Sequence, residues 1–335
     1  MKAMRLRQPA SIDALYLEQC NEREPAPTEI KVRVQAASLN FRDGLVVNGF
    51  FPVGDGIIPL SDGAGEVVAV GSEVTEFQLG DKVVSTFHPN WHGGHIERAL
   101  LNNSPGGPAD GFACEMVTKP YTHFTHASKN LSAEEAATLP CAGVTAWRAV
   151  VTDAQLKPGD WVLIQGTGGV SLFALQFAKA CGARVIATSS CAEKLQRLKE
   201  LGADYVLNYR DDETWGDTVI QLTGGIGVDV VIEVGGPNTL AQSLVAARTG
   251  AHIAIIGAVA GFEVDTIPFA IVQAKRLRLQ GVTVGSRQDQ IDMVRAIESN
   301  NIKPVIDSQF SLEQLPVAFR ALQSGGHGGK IVIDI

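Results

Sequence analysis

From about residue 160 the chain alternates short apolar, β-branched runs with longer segments of helical period. The runs are WVLIQ (161–165), ARVIAT (183–188), DYVLNY (204–209), DVVIEV (229–234), HIAIIG (252–257) and LRLQGVTVG (277–285). Strands so rich in Val and Ile, with little in–out alternation, are those buried on both faces of a helix-covered parallel sheet. The intervening segments fit this. Val170, Phe173, Ala174, Phe177 and Ala178 fall on one helical face with Gly182 as the stop, and Leu195, Leu198 and Leu201 form a stripe ended by Gly202. Parallel strands joined by helical crossovers predict a doubly wound α/β sheet.

The front of the chain reads differently. IKVRVQAAS (30–38) and GEVVAVGSEV (65–74) alternate apolar with polar residues and are broken by Gly, Pro and Asp clusters, the pattern of an all-β region. In LSAEEAATLP (131–140), Ser132 with Glu135 three residues on forms a capping box that opens a helix. The tail, from IDMVRAIESN to GGKIVIDI, gives one amphipathic helix and a final strand able to return to the β region. The expected division is therefore 1–124 with 286–335 as one domain and 125–285 as the other.

Composition narrows the partners. At 335 residues, 45% hydrophobic and 19% charged, the chain has material for two ordinary domains. A net charge of -8 and no Lys/Arg-rich run leave nothing for a phosphate backbone, so no nucleic-acid partner is expected. No apolar h-region follows MKAMRLRQPA, and no stretch approaches the roughly 20 apolar residues that span a bilayer. A cytoplasmic protein without a membrane partner is expected. Five scattered cysteines without a CxxC argue against a disulfide framework or a zinc ribbon.

The candidate chemistry starts at IQGTGGVSLFA (164–174), a strand, a glycine burst and a helix start in the order a dinucleotide loop requires. Gly166, Thr167, Gly168, Gly169 and Val170 would place backbone N–H groups on a pyrophosphate at a helix N-terminus. The third glycine of GxGxxG is replaced by Ser171, whose small side chain still allows the helix to close on the strand. At the end of the second strand an NAD site carries an acidic residue for the ribose hydroxyl; here Thr188, Ser189 and Ser190 stand, with Lys194 one turn on. NADP(H) is favoured over NAD(H), with Ser189 and Lys194 at the extra phosphate and Tyr209 beside the adenine; the same serines would equally serve as a helix cap.

Several stretches in order, SLNFRDGLVVNGFFP, LSDGAGEVVAVGSEV, FQLGDKV, AATLPCAGVTAW and LKPGDWVLIQGTGGV, extend this reading over essentially the whole chain. Together they resemble the medium-chain dehydrogenase/reductase superfamily, in its zinc-independent, quinone-oxidoreductase-like and alcohol-dehydrogenase-like branch. The resemblance implies a GroES-like β domain, a Rossmann domain and an active site in the cleft between them. The metal-ligand positions of zinc members correspond here to Asn40, Ser61 and Cys141. A single thiol does not make a tetrahedral zinc site, so no metal is expected. His88, His92 and His95 crowd a Pro- and Gly-containing loop and read as exposed or cleft-lining, with Trp91 as a pocket wall.

With no metal, charge developing on a substrate oxygen must be met by hydrogen-bond donors or a proton relay. The resemblance assigns Asn40 and Thr145 to the nicotinamide ribose or substrate carbonyl, and Asp43 to orienting the network or relaying a proton. Arg42, Ser61 and Asp62 lie on the same motifs; for all of these side chains a structural role would serve equally well, Asp43 as a pair with Arg42 and Asp62 beside Gly63 as the shaper of a turn. IIGAVAG (255–261) and GVTVG (281–285) match segments that hold the carboxamide, implicating Gly257, Val259 and Thr283. Lys330, with Ser286 and Arg287, is expected to reach a phosphate or close the domains, and the strand ending at Gly285 to pair with its mate in a homodimer. The expected reaction is hydride transfer between NADP(H) and an apolar carbonyl or alcohol, quinone or activated alkene. Phe50, Phe51, Phe87 and Trp91 point to that apolarity. The alternative is a nucleotide-binding sensor with little catalysis.

Overall fold

The computed structural model describes every residue except Ala258, Ala260 and residues 262–266. It divides into two compact units, Met1–Val144 with Val284–Ile335, and Thr145–Thr283.

The first unit opens with a hairpin, β1 (Lys2–Leu6) antiparallel to β2 (Leu15–Gln19). Then follow β3 (Glu29–Ser38), α1 (Phe41–Val47), β4 (Asp62–Val70), β5 (Lys82–Ser85), β6 (Met116–Pro120), β7 (Phe124–His126) and α2 (Ala133–Ala137). Ile30, Val32, Val34 and Ala36 on β3 are buried, as alternation on a half-covered sheet requires. The Ser132–Glu135 capping box forms in both directions: the Glu135 N–H donates to Ser132 Oγ at 3.2 Å, and the Ser132 N–H to Glu135 Oε2 at 2.9 Å. The helical residues that follow include two π-helical stretches, Leu139–Gly143 and Arg148–Asp153, on either side of α3 (Val144–Trp147).

The second unit is an all-parallel sheet of β8 (Trp161–Gln165), β9 (Arg184–Ser189), β10 (Tyr205–Asn208), β11 (Val228–Glu233), β12 (Ala247–Ile255) and β13 (Arg278–Gly281). The spatial order β10-β9-β8-β11-β12-β13 is that of a Rossmann sheet, reversing between β8 and β11. Crossover helices α4 (Gly169–Ala180), α5 (Ala192–Glu200), α6 (Trp215–Leu222), α7 (Pro237–Ala246) and α8 (Phe269–Ala274) connect the strands. Leu163, Ile186, Val231 and Ile253, one from each of four neighbouring strands, are fully buried in its core.

The chain then returns to the first unit through α9 (Arg287–Asn300), β14 (Ile306–Ser311), α10 (Leu315–Ser324) and β15 (Lys330–Asp334). The final strand pairs antiparallel with β3 and parallel with β14, giving the order β14-β15-β3-β4-β5-β7. The two compact units divide at 144/145, where the expected domain boundary was 124/125; β7 pairs with β5 and α2 packs on β3 and β4. The return falls at 283/284, two residues ahead of the expected 285/286.

Candidate functional site

In the second unit, the turn after β8 is built for close approach. Gly166 has φ +71°, a left-handed conformation that glycine adopts without strain, and its N–H donates to Thr188 O at 2.7 Å. Gly168 caps α4, and a Cβ built on it meets nothing within 4 Å. Thr167 is buried beneath the turn, while Gly169 and Val170 form the first residues of α4. The N-terminus of this helix, with its free N–H groups and positive dipole end, therefore faces open space, as an anion site requires. Ser171 does more than fit: its hydroxyl donates to Gln165 O at 2.6 Å and ties helix to strand.

Ser189 and Tyr209 come together beside this turn. Asn208 is in register with Ser189, and the Tyr209 N–H donates to Ser189 O at 3.2 Å, so both residues end their strands side by side. Lys194 lies in the first turn of α5.

Sequence reasoning missed the neighbouring strand end. Glu233 ends β11 fully buried, and all four of its hydrogen-bond partners are donors. Oε1 accepts from the Gly236 N–H at 2.8 Å and Thr239 Oγ1 at 2.5 Å; Oε2 accepts from Gln165 Nε2 at 2.8 Å and Ser243 Oγ at 2.5 Å. Gln165 Oε1 in turn accepts the N–H groups of Val234 and Gly235. One carboxylate thereby ties the ends of β8 and β11 together at the point where the strand order reverses. The GG that follows the Val/Ile run in DVVIEVGG was the available signal. Gly257 completes this side: its N–H donates to Glu233 O at 3.3 Å, and a Cβ there would lie 2.6 Å from Val234 O. Val259 is exposed with its N–H on Val234 O at 3.4 Å, and Thr283 is the last residue of the unit; Ala258 and Ala260 of the same motif lie outside the described residues.

The first unit carries a buried polar network at one end of its sheet. Ser38 on β3 is in register with Asp62 on β4, and β15 runs antiparallel to β3, so the end of β3 meets the starts of β4 and β15. There the Lys330 ammonium donates to Leu39 O at 2.6 Å and Asn40 Oδ1 at 2.5 Å, and lies 4.0 Å from Asp62 Oδ2. Asn40 Nδ2 donates to Ser61 Oγ at 3.3 Å, and the Ser61 hydroxyl to Asp62 Oδ1 at 2.6 Å. Asp62 Oδ2 also accepts the Cys141 N–H at 3.1 Å. Asp43 accepts from the Asn40 N–H at 2.9 Å, the Ser61 N–H at 3.3 Å and Arg42 at 3.1 Å. Burial pushes its carboxyl above the usual range, against the pull of the Arg42 guanidinium.

The comparisons with known proteins bear on both units. Residues 26–129 match the alcohol dehydrogenase GroES-like domain and 169–299 the zinc-binding dehydrogenase domain. A zinc-type alcohol dehydrogenase-like protein of Schizosaccharomyces pombe is 41% identical over 316 residues, covering 92% of this chain and 91% of its own. The chain belongs to the medium-chain dehydrogenase/reductase superfamily. Another member, the zinc-type alcohol dehydrogenase-like protein YogA of Leptosphaeria maculans, is 32% identical over 96% of this chain and 94% of its own. The solved structure of an NAD-dependent alcohol dehydrogenase superimposes with a TM-score of 0.92 at 35% identity, covering 100% of both chains. This medium-chain dehydrogenase/reductase is accordingly an NAD(P)-dependent oxidoreductase, and the Rossmann and GroES-like expectation holds.

Zinc, which the family names imply, does not fit the residues found. At the corresponding positions the Asn40 amide and the Ser61 hydroxyl are engaged with each other and with Lys330 and Asp62. Cys141 is the one thiol at these positions, and a single thiol does not make a tetrahedral zinc site. Among the described residues, no group of three or more His, Cys, Asp or Glu side chains is disposed to hold a metal ion.

Other expectations are corrected. Lys330 does not extend to reach a phosphate: it is 4% exposed and turned into the first unit. Arg287 donates to Phe124 O and pairs with Glu76, all within that unit. Trp91 is no pocket wall but 1% exposed core, its indole N–H donating to Gly94 O at 3.3 Å. His88 is likewise buried, 3.4 Å from Ser104 Oγ, while His92 and His95 are exposed. Phe87 is buried, whereas Phe50 and Phe51 are exposed and meet edge to face at 5.5 Å. Asp62 opens β4 and is no turn residue. Thr145 is buried on α3 at the start of the second unit.

Proposed function

We propose that this oxidoreductase is zinc-independent and uses NADP(H) to transfer a hydride to or from an apolar carbonyl or alcohol, quinone or activated alkene. The single observation that carries this is the polar network at the end of β3, where an amide and a hydroxyl stand at two of the positions that correspond to metal ligands in zinc members and the Lys330 ammonium is bonded to that amide. The nicotinamide supplies or takes the hydride. The chain's own residues do the rest. The α4 N-terminus and the turn from Gly166 to Val170 hold the pyrophosphate, and Gly257, Val259 and Thr283 the carboxamide side. The end of β9 carries the hydroxyls of Thr188, Ser189 and Ser190 where an NAD site has its carboxylate, which leaves room for a 2′-phosphate beside Ser189 and Lys194. Asn40 and Thr145 meet the substrate oxygen or the ribose, and Asp43 holds the Asn40 and Ser61 backbone in place.

Among the described residues no helix is long and apolar enough to cross a membrane. The protein works in the cytoplasm as a homodimer joined through β13, the outer strand of the second unit's sheet. Steady-state assays test the reading: NADPH oxidation with a quinone, an enone, an aldehyde and an enoyl thioester, and NADP+ reduction with secondary alcohols. Turnover that survives chelators supports it. Absence of turnover with every class, or a preference for NAD(H), overturns the corresponding part.

A further inference from the structure

We propose that Lys330 is a positioning residue for hydride transfer, its ammonium acting on the substrate oxygen through the Asn40 amide. The inference rests on the functional reading above. The direction of the hydrogen bonds carries it. Lys330 can only donate, so the oxygen it meets at 2.5 Å is Asn40 Oδ1. At the other end, the Ser61 hydroxyl gives its hydrogen to Asp62, so Ser61 Oγ accepts, and the group facing it at 3.3 Å is Asn40 Nδ2. The amide is thus oriented from both sides, by a chain that runs one way from Lys330 through Asn40 and Ser61 to Asp62.

Two consequences follow for chemistry. An amide NH2 carries two hydrogens, and the one not given to Ser61 is a donor whose direction is fixed by this chain. An ammonium on the amide oxygen draws electron density from the nitrogen, and hydrogen bonds linked in series strengthen one another in a low-dielectric interior. The second N–H is therefore a better partner for negative charge developing on a substrate oxygen than an isolated asparagine would supply. No bond to Lys330 forms or breaks. Burying an ammonium is costly unless it is paired and hydrogen-bonded, and here Leu39 O, Asn40 Oδ1 and the Asp62 carboxylate at 4.0 Å meet that requirement.

The test compares wild type with Lys330→Met, Lys330→Arg, Asn40→Ala and the double variant Lys330→Met/Asn40→Ala. Loss of a preorganised donor lowers kcat by roughly 10²-fold, so Lys330→Met should fall by about that factor with NADPH affinity changed by less than about threefold. Lys330→Arg should recover part of the loss. The double variant should be no slower than Asn40→Ala, because the two residues act as one unit. An NADPH affinity loss with kcat intact at saturating coenzyme, or multiplicative losses in the double variant, overturns the inference. Two measurements need no turnover and no unfolding-prone variant. Equilibrium dialysis of wild type against zinc should give no stoichiometric uptake, and the side-chain amide signal of Asn40 in 15N spectra should move in Lys330→Arg. Stoichiometric zinc, or an unmoved signal, refutes the role of Lys330 even if the enzyme is active. Inactivity with every substrate while both hold refutes the functional reading instead.

Discussion

Replacing Glu233 by Gln tests how the ends of β8 and β11 are held together. The carboxylate accepts four hydrogen bonds and donates none. In Glu233→Gln the new side chain would have to turn an NH2 toward one pair of these donors. On the Oε1 side it meets the Gly236 N–H, a backbone donor that cannot reverse. On the Oε2 side it meets Gln165 Nε2; flipping Gln165 to relieve that contact turns its own NH2 onto the N–H groups of Val234 and Gly235. Either way at least one buried donor faces another donor, which costs about 1–3 kcal/mol, and the remaining bonds lose their charge-assisted strength, about 1 kcal/mol more. The expected destabilisation is about 3 kcal/mol, read as a lower urea midpoint by tryptophan fluorescence, since Trp147, Trp161 and Trp215 all belong to this unit. NADPH binding should weaken with it, because Gly235 and Gly236 are anchored by the same network. A Glu233→Gln variant within about 0.5 kcal/mol of wild type would show that the network has slack and refute the reasoning.

Lys194→Glu should weaken NADP(H) by about tenfold, or about 1.4 kcal/mol, and leave NAD(H) unchanged in fluorescence titrations; equal NADP(H) affinity would remove this residue from the site. In Gly257→Ala the new Cβ falls 2.6 Å from Val234 O, so the backbone must shift, costing about 1–3 kcal/mol with a raised KM for NADPH. A normal melt and KM would disprove the close approach. Burial lowers the imidazole of His252 from 6.5 to about 4, and both ring nitrogens lack hydrogen-bond partners. Its folded pKa lies below the unfolded one, so the unfolded chain binds the extra proton and stability should rise with pH between about 4 and 6.5. His123, lowered to about 4 by burial, adds to the same slope. His252→Leu should flatten the slope in denaturation curves taken across this window, and an unaltered slope would assign it elsewhere.

Much of the architecture was legible because it is written in local patterns. The Val- and Ile-rich runs at 161–165 and 229–234 became β8 and β11 within a residue, and Ser132 with Glu135 capped its helix as expected. What was missed lacks such a pattern. β14 reads IDSQFS, with little apolar content, and draws its pairing from β15 instead of from its own composition. The helix LPVAFRALQS carries Pro at its start, where proline is tolerated but breaks a periodic reading. Side-chain direction was less legible still. GGKIVI looks the same whether its lysine faces a phosphate or the interior, and only the antiparallel register of β15 on β3 turns Lys330 inward. Trp91 lies in a loop sequence, but burial depends on the strands and helices that close over it.

The position of β15 in the first unit's sheet has a consequence for biosynthesis. Thr145–Thr283 is one unbroken stretch, so the nucleotide-binding unit can mature while the ribosome is still working. The other unit must wait, since β3, already paired with β4 and β6, has no strand on the β15 side until residues 330–334 emerge and fill the gap between β14 and β3. The ammonium arrives with that same strand. A nascent chain therefore gains the buried ammonium of this network only as the first unit's sheet is sealed.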